Sequence, residues 1–362
     1  MANPQVIVAG IDLWDKGYVK DFRSVSQQKS YQKDKLTTNS YSFEARNFDD
    51  FFSINNNDSI FVGTDWLYED VLIKDRNSVT IWDGVLTGIT RNHDTKIATI
   101  HSRDKLFTLR NRIIEYESSD WETIGDAFVN LCTQEGFTTY EKKIAADSII
   151  NYTANSCYVK VNINLSDKLT FQQACEKFGE YGNANVFMYN NIMYFDHWVP
   201  FSGTADITIT DDDFKKKAIV YDNEKDMIND YSIGYYSDND VPATDLNTDN
   251  IGINARNRYG TKSLPELRSS EGQIIFKDKP SASYIGQGAI KRSVANYSKQ
   301  ARPIIGAQFD LFVSKFRDFI DLNTYASITF SDEEWNNKVF EINSFGIDEE
   351  SDTISITVFE AT

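Results

Sequence analysis

Alternating apolar and polar positions predict short strands over most of the first hundred residues. Between Asp58 and Leu106, β-branched runs are separated by clusters of Gly, Asn and Asp, and these runs are 59–62, 71–73, 79–82 and 96–100. Short strands of this kind are typical of a small antiparallel barrel or sandwich. Upstream, the stretch 27–39 is polar and rich in lysine, which predicts an exposed loop.

A helical period replaces this alternation near Ser119. Asp120 is the predicted N-cap of a helix, and Gly136 stands where a C-terminal glycine is expected. The apolar face of this helix would consist of Ile124, Phe128, Leu131 and Cys132. A second helix is predicted from Thr170 to Gly179, and its apolar face would consist of Phe171, Ala174, Cys175 and Phe178.

Two apolar strands then flank Asn190 and Asn191 within 186–195, which predicts a hairpin because asparagine tolerates the positive φ angles of a two-residue turn. Residues of about 112 to 205 are therefore predicted to form an α+β insertion between β-rich flanks.

Strands return after the insertion. They are predicted within 207–236, around the acidic turn 211–213, and a polar loop follows over 238–257. A helix is predicted from Ser281, with one stripe formed by Ile290, Val294, Tyr297 and Ala301. The remaining strands are predicted at 304–313, 325–330, 338–343 and 353–359.

Two distant turns have similar sequences. Residues 88–95 and 346–353 both consist of Gly-Ile, four polar residues and Asp-Thr, and a β-branched run follows each. Each segment also follows a strand and, further back, a turn that carries Trp66 or Trp335. The matching order of elements predicts an internal duplication of one β-domain, with the two copies on either side of the insertion.

The chain of 362 residues contains 37 Lys and Arg and 54 Asp and Glu, so its formal charge is −17. Binding to nucleic acid or to an anionic membrane surface requires clustered positive charge, and both are therefore disfavoured. The apolar run 6–9 is far too short to span a membrane, and the N-terminus lacks the basic region of a signal peptide. The three cysteines, Cys132, Cys157 and Cys175, are predicted to be buried thiols of a protein made in a reducing cytoplasm.

The sequence contains no recognisable catalytic constellation. His93, His101 and His197 are too scattered for a metal site, and no phosphate-binding glycine loop or nucleophile elbow is present. The three consecutive carboxylates at 211–213 and the acidic group at 238–240 lack the alternating ligands of a calcium loop. We therefore predict no catalytic, cofactor-binding or metal-binding residue, and a structural or binding protein rather than an enzyme.

The order of several short motifs resembles the baseplate hub, or tail-tip, proteins of long-tailed bacteriophages. The segment 228–236, Ile-Asn-Asp-Tyr-Ser-Ile-Gly-Tyr-Tyr, is followed after a polar loop by Asn-Arg-Tyr-Gly-Thr-Lys at 257–262, and then by a helix and a closing barrel with its last hairpin at 339–359. The family's strand ending in Trp-x-Gly is matched by 80–88, and its helix and hairpin by 169–174 and 185–195. The resemblance covers most of 58–362.

The resemblance implies a β-rich α+β fold with two similar small antiparallel β-barrel domains that flank inserted α+β domains. The corresponding division is a first barrel at 1–111, an inserted α+β domain at 112–205, a β-rich connecting domain at 206–280, and a helix with the second barrel at 281–362. Such hubs form homotrimers, in which two barrels from each of three chains make a ring of pseudo-sixfold symmetry.

The resemblance also implies a role at the tail tip of a virion assembled in the host cytoplasm. The trimer would close the tail tube, adapt its hexameric symmetry to a trimeric fibre or spike, and open for DNA ejection. Its expected partners are the tail-tube ring protein, the tape measure protein and the central fibre or spike. DNA would pass through the channel without specific binding, and the acidic charge would favour this because it repels phosphate.

Three alternatives remain at this stage. One is the hub of a contractile injection machine. A second, from a different class, is a tail-associated cell-wall hydrolase that uses paired carboxylates, and a third is a carbohydrate-binding module that uses exposed aromatic residues. A hydrolase on this chain is disfavoured because the sequence ends at Thr362, shortly after the last predicted strand, whereas many tail-tip proteins carry a long C-terminal extension.

Overall fold

The computed structural model describes residues 4–21, 25–29, 36–53, 56–59, 61–62, 66–136, 157–182, 184–189, 192–197, 203–216, 218–223, 232–236, 242–246, 267–268, 274–278, 304–322, 324–348 and 351–361. Strands dominate this part of the chain, which is β-rich with a smaller helical content, as predicted. Three larger sheets and one separate hairpin account for all the strands described.

The N-terminal third contributes eight strands and one short helix. They are β1 (Gln5–Val8), β2 (Ile11–Asp12), β3 (Val19–Asp21), β4 (Val25–Gln28), β5 (Ser40–Arg46), β6 (Asp70–Lys74), β7 (Thr80–Asn92), β8 (Ile97–Asp104) and α1 (Leu106–Leu109). The first sheet has the order β2-β1-β6-β7-β8-β5-β3 and is antiparallel throughout. One of its faces carries a core of aliphatic and aromatic side chains that includes Val8, Phe43, Ile73, Trp82 and Ile100.

The middle of the chain supplies the two helices predicted from the sequence. Its elements are β9 (Tyr116–Glu117), β10 (Glu122–Thr123), α2 (Ile124–Gln134), β11 (Cys157–Ile163), α3 (Phe171–Gly182), β12 (Ala184–Tyr189) and β13 (Ile192–His197). The apolar faces of α2 and α3 share one core with the β12–β13 hairpin, in which the Phe128 and Phe195 rings lie 5.2 Å apart. The pairing of Tyr189 with Ile192 leaves two residues between the strands and confirms the predicted hairpin.

The remaining strands divide between two sheets. They are β14 (Ile207–Ile209), β15 (Ile219–Asn223), β16 (Ser232–Tyr236), β17 (Pro242–Leu246), β18 (Leu267–Arg268), β19 (Ile274–Asp278), β20 (Ile304–Phe312), β21 (Tyr325–Phe330), β22 (Trp335–Asp348) and β23 (Thr353–Glu360), with the short helix α4 (Val313–Phe316) after β20. The second sheet has the order β14-β21-β22-β23-β20-β15, whereas β16 to β19 share a middle sheet with β9, β10 and β11.

The first and second sheets, which we call the sister sheets, share the order of six strands. The order β1-β6-β7-β8-β5-β3 of the first sheet matches β14-β21-β22-β23-β20-β15 of the second, except that β14 runs parallel to β21 while β1 runs antiparallel to β6. The long hairpins also agree in detail, because Asn92 pairs with Ile97 in one and Asp348 pairs with Thr353 in the other, 256 residues later. The bulge of each long strand falls at the same place, at Thr87 and at Asn343.

The backbone confirms this equivalence at further points. Lys96 and Asp352 both have positive φ angles, of 54° and 51°, at the last position of the two hairpin turns. The similar turn sequences align Gly88 with Gly346, and this alignment is wrong by two residues. Pairing register and bulge position define the equivalent positions, and by these Gly88 corresponds to Ser344. Trp335 likewise begins β22 and has no counterpart in Trp66, which precedes β6.

Several local predictions need correction. The described residues of the predicted strand 59–62 lie in turns, because the Ser59 and Val62 amides donate to carbonyls three residues earlier. The N-cap of α2 is Thr123, whose hydroxyl accepts from the Asp126 amide at 3.1 Å, and not Asp120. The α3 helix continues past Gly179, which is buried, because packing of its apolar face offsets the roughly 1 kcal/mol helical cost of a glycine.

Sheet membership crosses the predicted boundaries at 205 and 281. Strands β14 and β15 belong to the second sheet, whereas β16 to β19 belong to the middle sheet, in which β19 pairs with β11 from before residue 164. The helix predicted from Ser281 lies outside the described residues, as does the 257–262 motif. The division into four domains and the closure of each sister sheet into a barrel remain predictions.

Gly84 of β7 tests the close packing of the first sheet. A Cβ at this position would meet the Arg103 carbonyl and lie 2.8 Å from Trp82 Nε1 and 2.9 Å from Ser102 Oγ. We expect Gly84→Ala to lower the free energy of unfolding by about 1–3 kcal/mol, because neither backbone nor buried side chains can move freely. Thermal unfolding followed by circular dichroism measures this loss.

The matched control is Gly88→Ala on the same strand, where the nearest atom, His101 Cδ2, lies at an ordinary 3.7 Å. Equal melting temperatures for the two variants would contradict the predicted steric conflict.

Candidate functional site

One strand of the N-terminal region belongs to the second sheet. Strand β4 leaves the first sheet and pairs antiparallel with residues 344–347 of β22, and the Lys29 amide extends the ladder by donating to the Asn343 carbonyl at 2.9 Å. We call β4, its neighbour Lys29 and the side chains that hold them the junction. The junction pairs with the second sheet through main-chain hydrogen bonds, whose geometry is specific.

The first sheet holds β4 in place from its other side. Asn39 accepts from the Gln28 amide at 2.9 Å, and its own amide donates to Asp104 Oδ2 at 2.5 Å. The Gln27 side chain is buried and donates to the Ile81 carbonyl at 3.0 Å. These bonds hold β4 on the side that faces away from β22, and they therefore help to set its pairing register with β22.

Two ion pairs close the junction. Lys29, whose side chain is 2% exposed, pairs with Glu341 of β22 and lies 5.8 Å from the centre of the Phe187 ring. Arg317, which follows α4, pairs with the fully buried Asp75 at 2.5 Å. Asp75 also accepts from the Asn77 and Val79 amides at 2.8 Å, which shapes the turn that enters β7. The Lys29–Glu341 pair lies within the second sheet, whereas the Arg317–Asp75 pair spans the two sister sheets. In both pairs a buried charge requires its partner.

The inserted hairpin contacts the same place. Phe187 of β12 forms an isolated bridge with Thr37 and stacks on Tyr194 at 4.9 Å, and its side chain belongs to the core of the second sheet. Tyr189 meets Phe345 of β22 edge to face at 6.1 Å. The insertion therefore packs against the second sheet at the junction and bridges to Thr37, in the segment that leads into β5.

Asp104 is the most perturbed carboxyl group near the junction. Burial raises its pKa to about 7, although hydrogen bonds from the Asn39 and Phe107 amides and the charges of Arg103 and Arg110 act in the opposite direction. Because Asp104 also donates its amide to the Asn39 carbonyl at 3.1 Å, its protonation is linked to the residues that position β4.

The junction was not predicted from the sequence. The polar pattern of 27–39 predicts an exposed loop, whereas Gln27, Lys29 and Asn39 are buried. They are buried because β4 lies against β22 of the second sheet on one side and beside the first sheet on the other. The stretch of polar residues gave the wrong indication, since polar side chains are also buried where partners satisfy them. A polar stretch with a short strand signal, Val25–Gln28, is the feature that could have indicated pairing.

The histidines and acidic groups considered as candidate site residues can be located where they fall within the described residues. His101 is bonded to Ser42 and Thr90, both at 3.0 Å, and His93 is an exposed turn residue 3.6 Å from Asp50. The His197 side chain lies outside the described residues. Within the described part of the chain, no group of His, Cys, Asp and Glu could hold a metal ion.

The acidic turn 211–213 has a structural role. Burial alone would raise the pKa of Asp213, but bonds from Lys315 and Thr210 outweigh this effect and lower it. Asp211 accepts from the Ser331 amide at 3.2 Å and so ties the turn to the end of β21. Cys132 and Cys175 are buried free thiols, as predicted, and burial raises the pKa of the Cys175 thiol well above its usual value. The Cys157 side chain lies outside the described residues.

Comparison with known proteins rests on structure. No protein-family model matches the chain, and no curated protein matches its sequence. A tail protein from Neisseria meningitidis has 10% identity and a TM-score of 0.57, with 99% of this chain and 96% of that chain covered. The 43 kDa tail protein of prophage MuSo2 from Shewanella oneidensis has 11% identity and a TM-score of 0.57, with coverages of 98% and 97%.

The prophage tail protein gp18 from Listeria monocytogenes has 12% identity and a TM-score of 0.54, with coverages of 99% and 94%. The chain has the fold of these tail proteins. The match over nearly the whole of each chain confirms, at the level of the fold, the resemblance that the sequence motifs indicate. None of the helices in the described part of this tail-protein fold is long and apolar enough to cross a membrane.

The Asp75–Arg317 pair tests how strongly the sister sheets are joined. We expect Arg317→Met or Asp75→Asn alone to destabilise the protein by about 3–5 kcal/mol, because each leaves a buried charge without its partner. The double variant should lose clearly less than the sum of the two, as measured by denaturant unfolding.

Lys216→Met is the control, since its pair with Asp310 is exposed at the lysine and should contribute less than about 1 kcal/mol. Additive losses in the Asp75 and Arg317 variants would show that the two residues act independently.

Asp104 predicts a pH dependence. The folded-state pKa of about 7 exceeds the ordinary 3.8, so the folded protein holds the proton more tightly than the unfolded chain. Stability is therefore lost as the pH rises from about 4 to 7, by up to roughly 4 kcal/mol. Asp104→Asn keeps an acceptor for the Asn39 amide and removes this dependence, so we expect it to be more stable than the natural protein at pH 8.

Denaturant unfolding at pH 5 and pH 8 measures the difference, which should shrink at the lower pH. Asp94→Asn, in the exposed β7–β8 turn, is the matched control and should behave like the natural protein. An unchanged pH profile for Asp104→Asn would contradict the assignment.

Proposed function

We propose that this protein is a structural component of a phage tail tip that assembles as a homotrimeric ring. Each sister sheet would close into a small antiparallel barrel, so that three chains contribute six similar barrels around a channel. The ring would continue a hexameric tail tube on one side and present threefold symmetry to a central fibre or spike on the other.

The observation that carries the proposal is the duplicated sheet. Two sheets with matching strand order and matching long hairpins occur in one chain, and β4, from between β3 and β5 of the first sheet, pairs with β22 of the second. A duplicated unit is the geometric requirement for a trimer to match a hexamer, because each chain then supplies two equivalent positions of the ring. The likeness of the whole fold to tail proteins supports the same role.

The sheet face opposite the core fits a channel wall. On the first sheet this face carries Ser42, Thr90 and Thr99, and on the second it carries Gln308, Ser355 and Thr357. The carboxylates Glu44 and Asp310 on the same faces are paired with Lys20 and Lys216 at 3.1 and 3.2 Å. Short uncharged side chains and paired charges offer few sites for phosphate, so DNA would pass without binding.

The net charge of −17 per chain favours the same outcome, and we propose that unpaired acids elsewhere in the ring face the channel. The proposed partners are the tail-tube ring protein, the tape measure protein and the fibre or spike protein. The proposed location is the tail tip of a virion assembled in the host cytoplasm, and the proposed role is non-enzymatic.

Native mass spectrometry of the purified protein tests the assembly. Three chains of 41.4 kDa should give a species of about 124 kDa, and dilution should shift the population toward monomer by mass action. Gold-labelled antibody against the chain should then mark the tail tip of intact particles in electron micrographs.

The natural protein mixed with purified tail-tube ring protein is the control for a trimer that forms only on assembly. A chain that stays monomeric in both samples, or labelling along the whole tail shaft, would contradict the proposal.

A further inference from the structure

The two sister sheets differ in how the second half of their longest strand is paired on one side. In the second sheet, β22 is paired along one side by β21 over its first half and by β4 over 344–347. In the first sheet, β6 pairs with the first half of β7. The equivalent second half, 88–91, has no main-chain partner on that side among the residues that the structure describes.

The two edges are equivalent residue by residue. The Leu86 amide donates to the Glu69 carbonyl at 2.8 Å just before the bulge, and the Ile342 amide donates to the Thr324 carbonyl at 3.0 Å at the same place. Beyond the bulge, Gly88 pairs with His101 as Ser344 pairs with Thr357. The backbone of 88–91 in β7 therefore occupies the position that 344–347, the residues paired with β4, occupy in β22.

The orientation of the hydrogen-bonding groups follows from the junction. Because Lys29 donates to the Asn343 carbonyl, alternate residues of β22 point their amide and carbonyl groups toward β4, and these are Phe345 and Ile347. Their counterparts in β7 are Ile89 and Arg91. Both are only half-buried, and Thr90 between them is exposed, so this edge is accessible.

We propose that residues 88–91 of β7 accept a strand from a second copy of this chain and form the seam of the homotrimer, an inference that rests on the proposed function. The occupant is argued from the junction. Inside one chain, the segment between β3 and β5 of the first sheet supplies the strand, β4, that completes the edge of the second sheet. In a closed ring the same head-to-tail contact repeats, so the second sheet of one copy completes the first sheet of the next.

The seam between chains differs from the junction in its side chains. Glu341, which pairs with Lys29, corresponds to the buried apolar Val85. The Lys29–Glu341 pair therefore has no equivalent acid in the first sheet, and the seam depends on main-chain pairing. This gives a specific test, since proline removes a main-chain donor while alanine removes only the side chain.

The experiment compares Arg91→Pro with Arg91→Ala. Proline is tolerated on an edge strand where the missing amide faces outward, so the folded monomer should persist, as checked by circular dichroism. Both variants lose the bond from the Arg91 side chain to the Phe52 carbonyl. We expect Arg91→Ala to remain trimeric in native mass spectrometry and Arg91→Pro to be monomeric. Ile89→Pro and Ile89→Ala provide a second pair with the same expectation.

Hydrogen exchange of the peptide covering 88–92 gives an independent measurement. In the natural protein we expect exchange to be about tenfold slower or more at concentrations that favour trimer than after dilution to monomer. A trimeric Arg91→Pro, or a trimer in which this peptide exchanges as fast as in the monomer, would overturn the inference and leave the proposed function standing.

Protection of the peptide in the diluted monomer would also overturn it, because the chain would then cover its own edge. A natural protein that never trimerises would instead contradict the proposed function itself.

Discussion

The insertion of β4 into the edge of the second sheet is the contact on which the rest of the architecture depends. The strand lies in the chain between β3 and β5 of the first sheet and pairs with β22 of the second, so it ties together two similar sheets that are far apart in sequence. The strand is held by hydrogen bonds of buried polar groups, among them those of Asn39, Asp104 and Gln27. Such groups specify one arrangement because any other would leave buried polar atoms without partners.

This contact also explains the placement of the insertion and of the buried charges. Arg317, beside the second sheet, pairs with Asp75 of the first, while Lys29 pairs with Glu341 of β22 and has Phe187 of the inserted hairpin beside it. Apolar packing alone would tolerate small shifts between the sheets, whereas ion pairs with a fixed partner do not. A ring that must close without gaps requires such a fixed angle between neighbouring units.

Much of the local structure could be predicted from the sequence. The hairpin 186–195, the strand 325–330 and the helix that ends at Gly136 follow from periodicity, turn residues and a glycine with a φ angle of 88°. The tail-protein resemblance was visible in the order of short motifs. The duplication was also indicated, although two residues out of register, because similar letters in a turn do not define equivalent positions as strand pairing does.

The sequence by itself determined the helices α2 and α3, the hairpin 186–195 and the closing strands, because alternation, caps and turn chemistry are local properties. It also determined the acidic charge and the absence of recognisable catalytic motifs. Only the tertiary structure decided that the polar residues around Gln27 and Lys29 are buried, and that β16 to β19 join the middle sheet instead of the second. Strand partners and the burial of polar groups depend on contacts between residues hundreds of positions apart, and no local pattern contains that information.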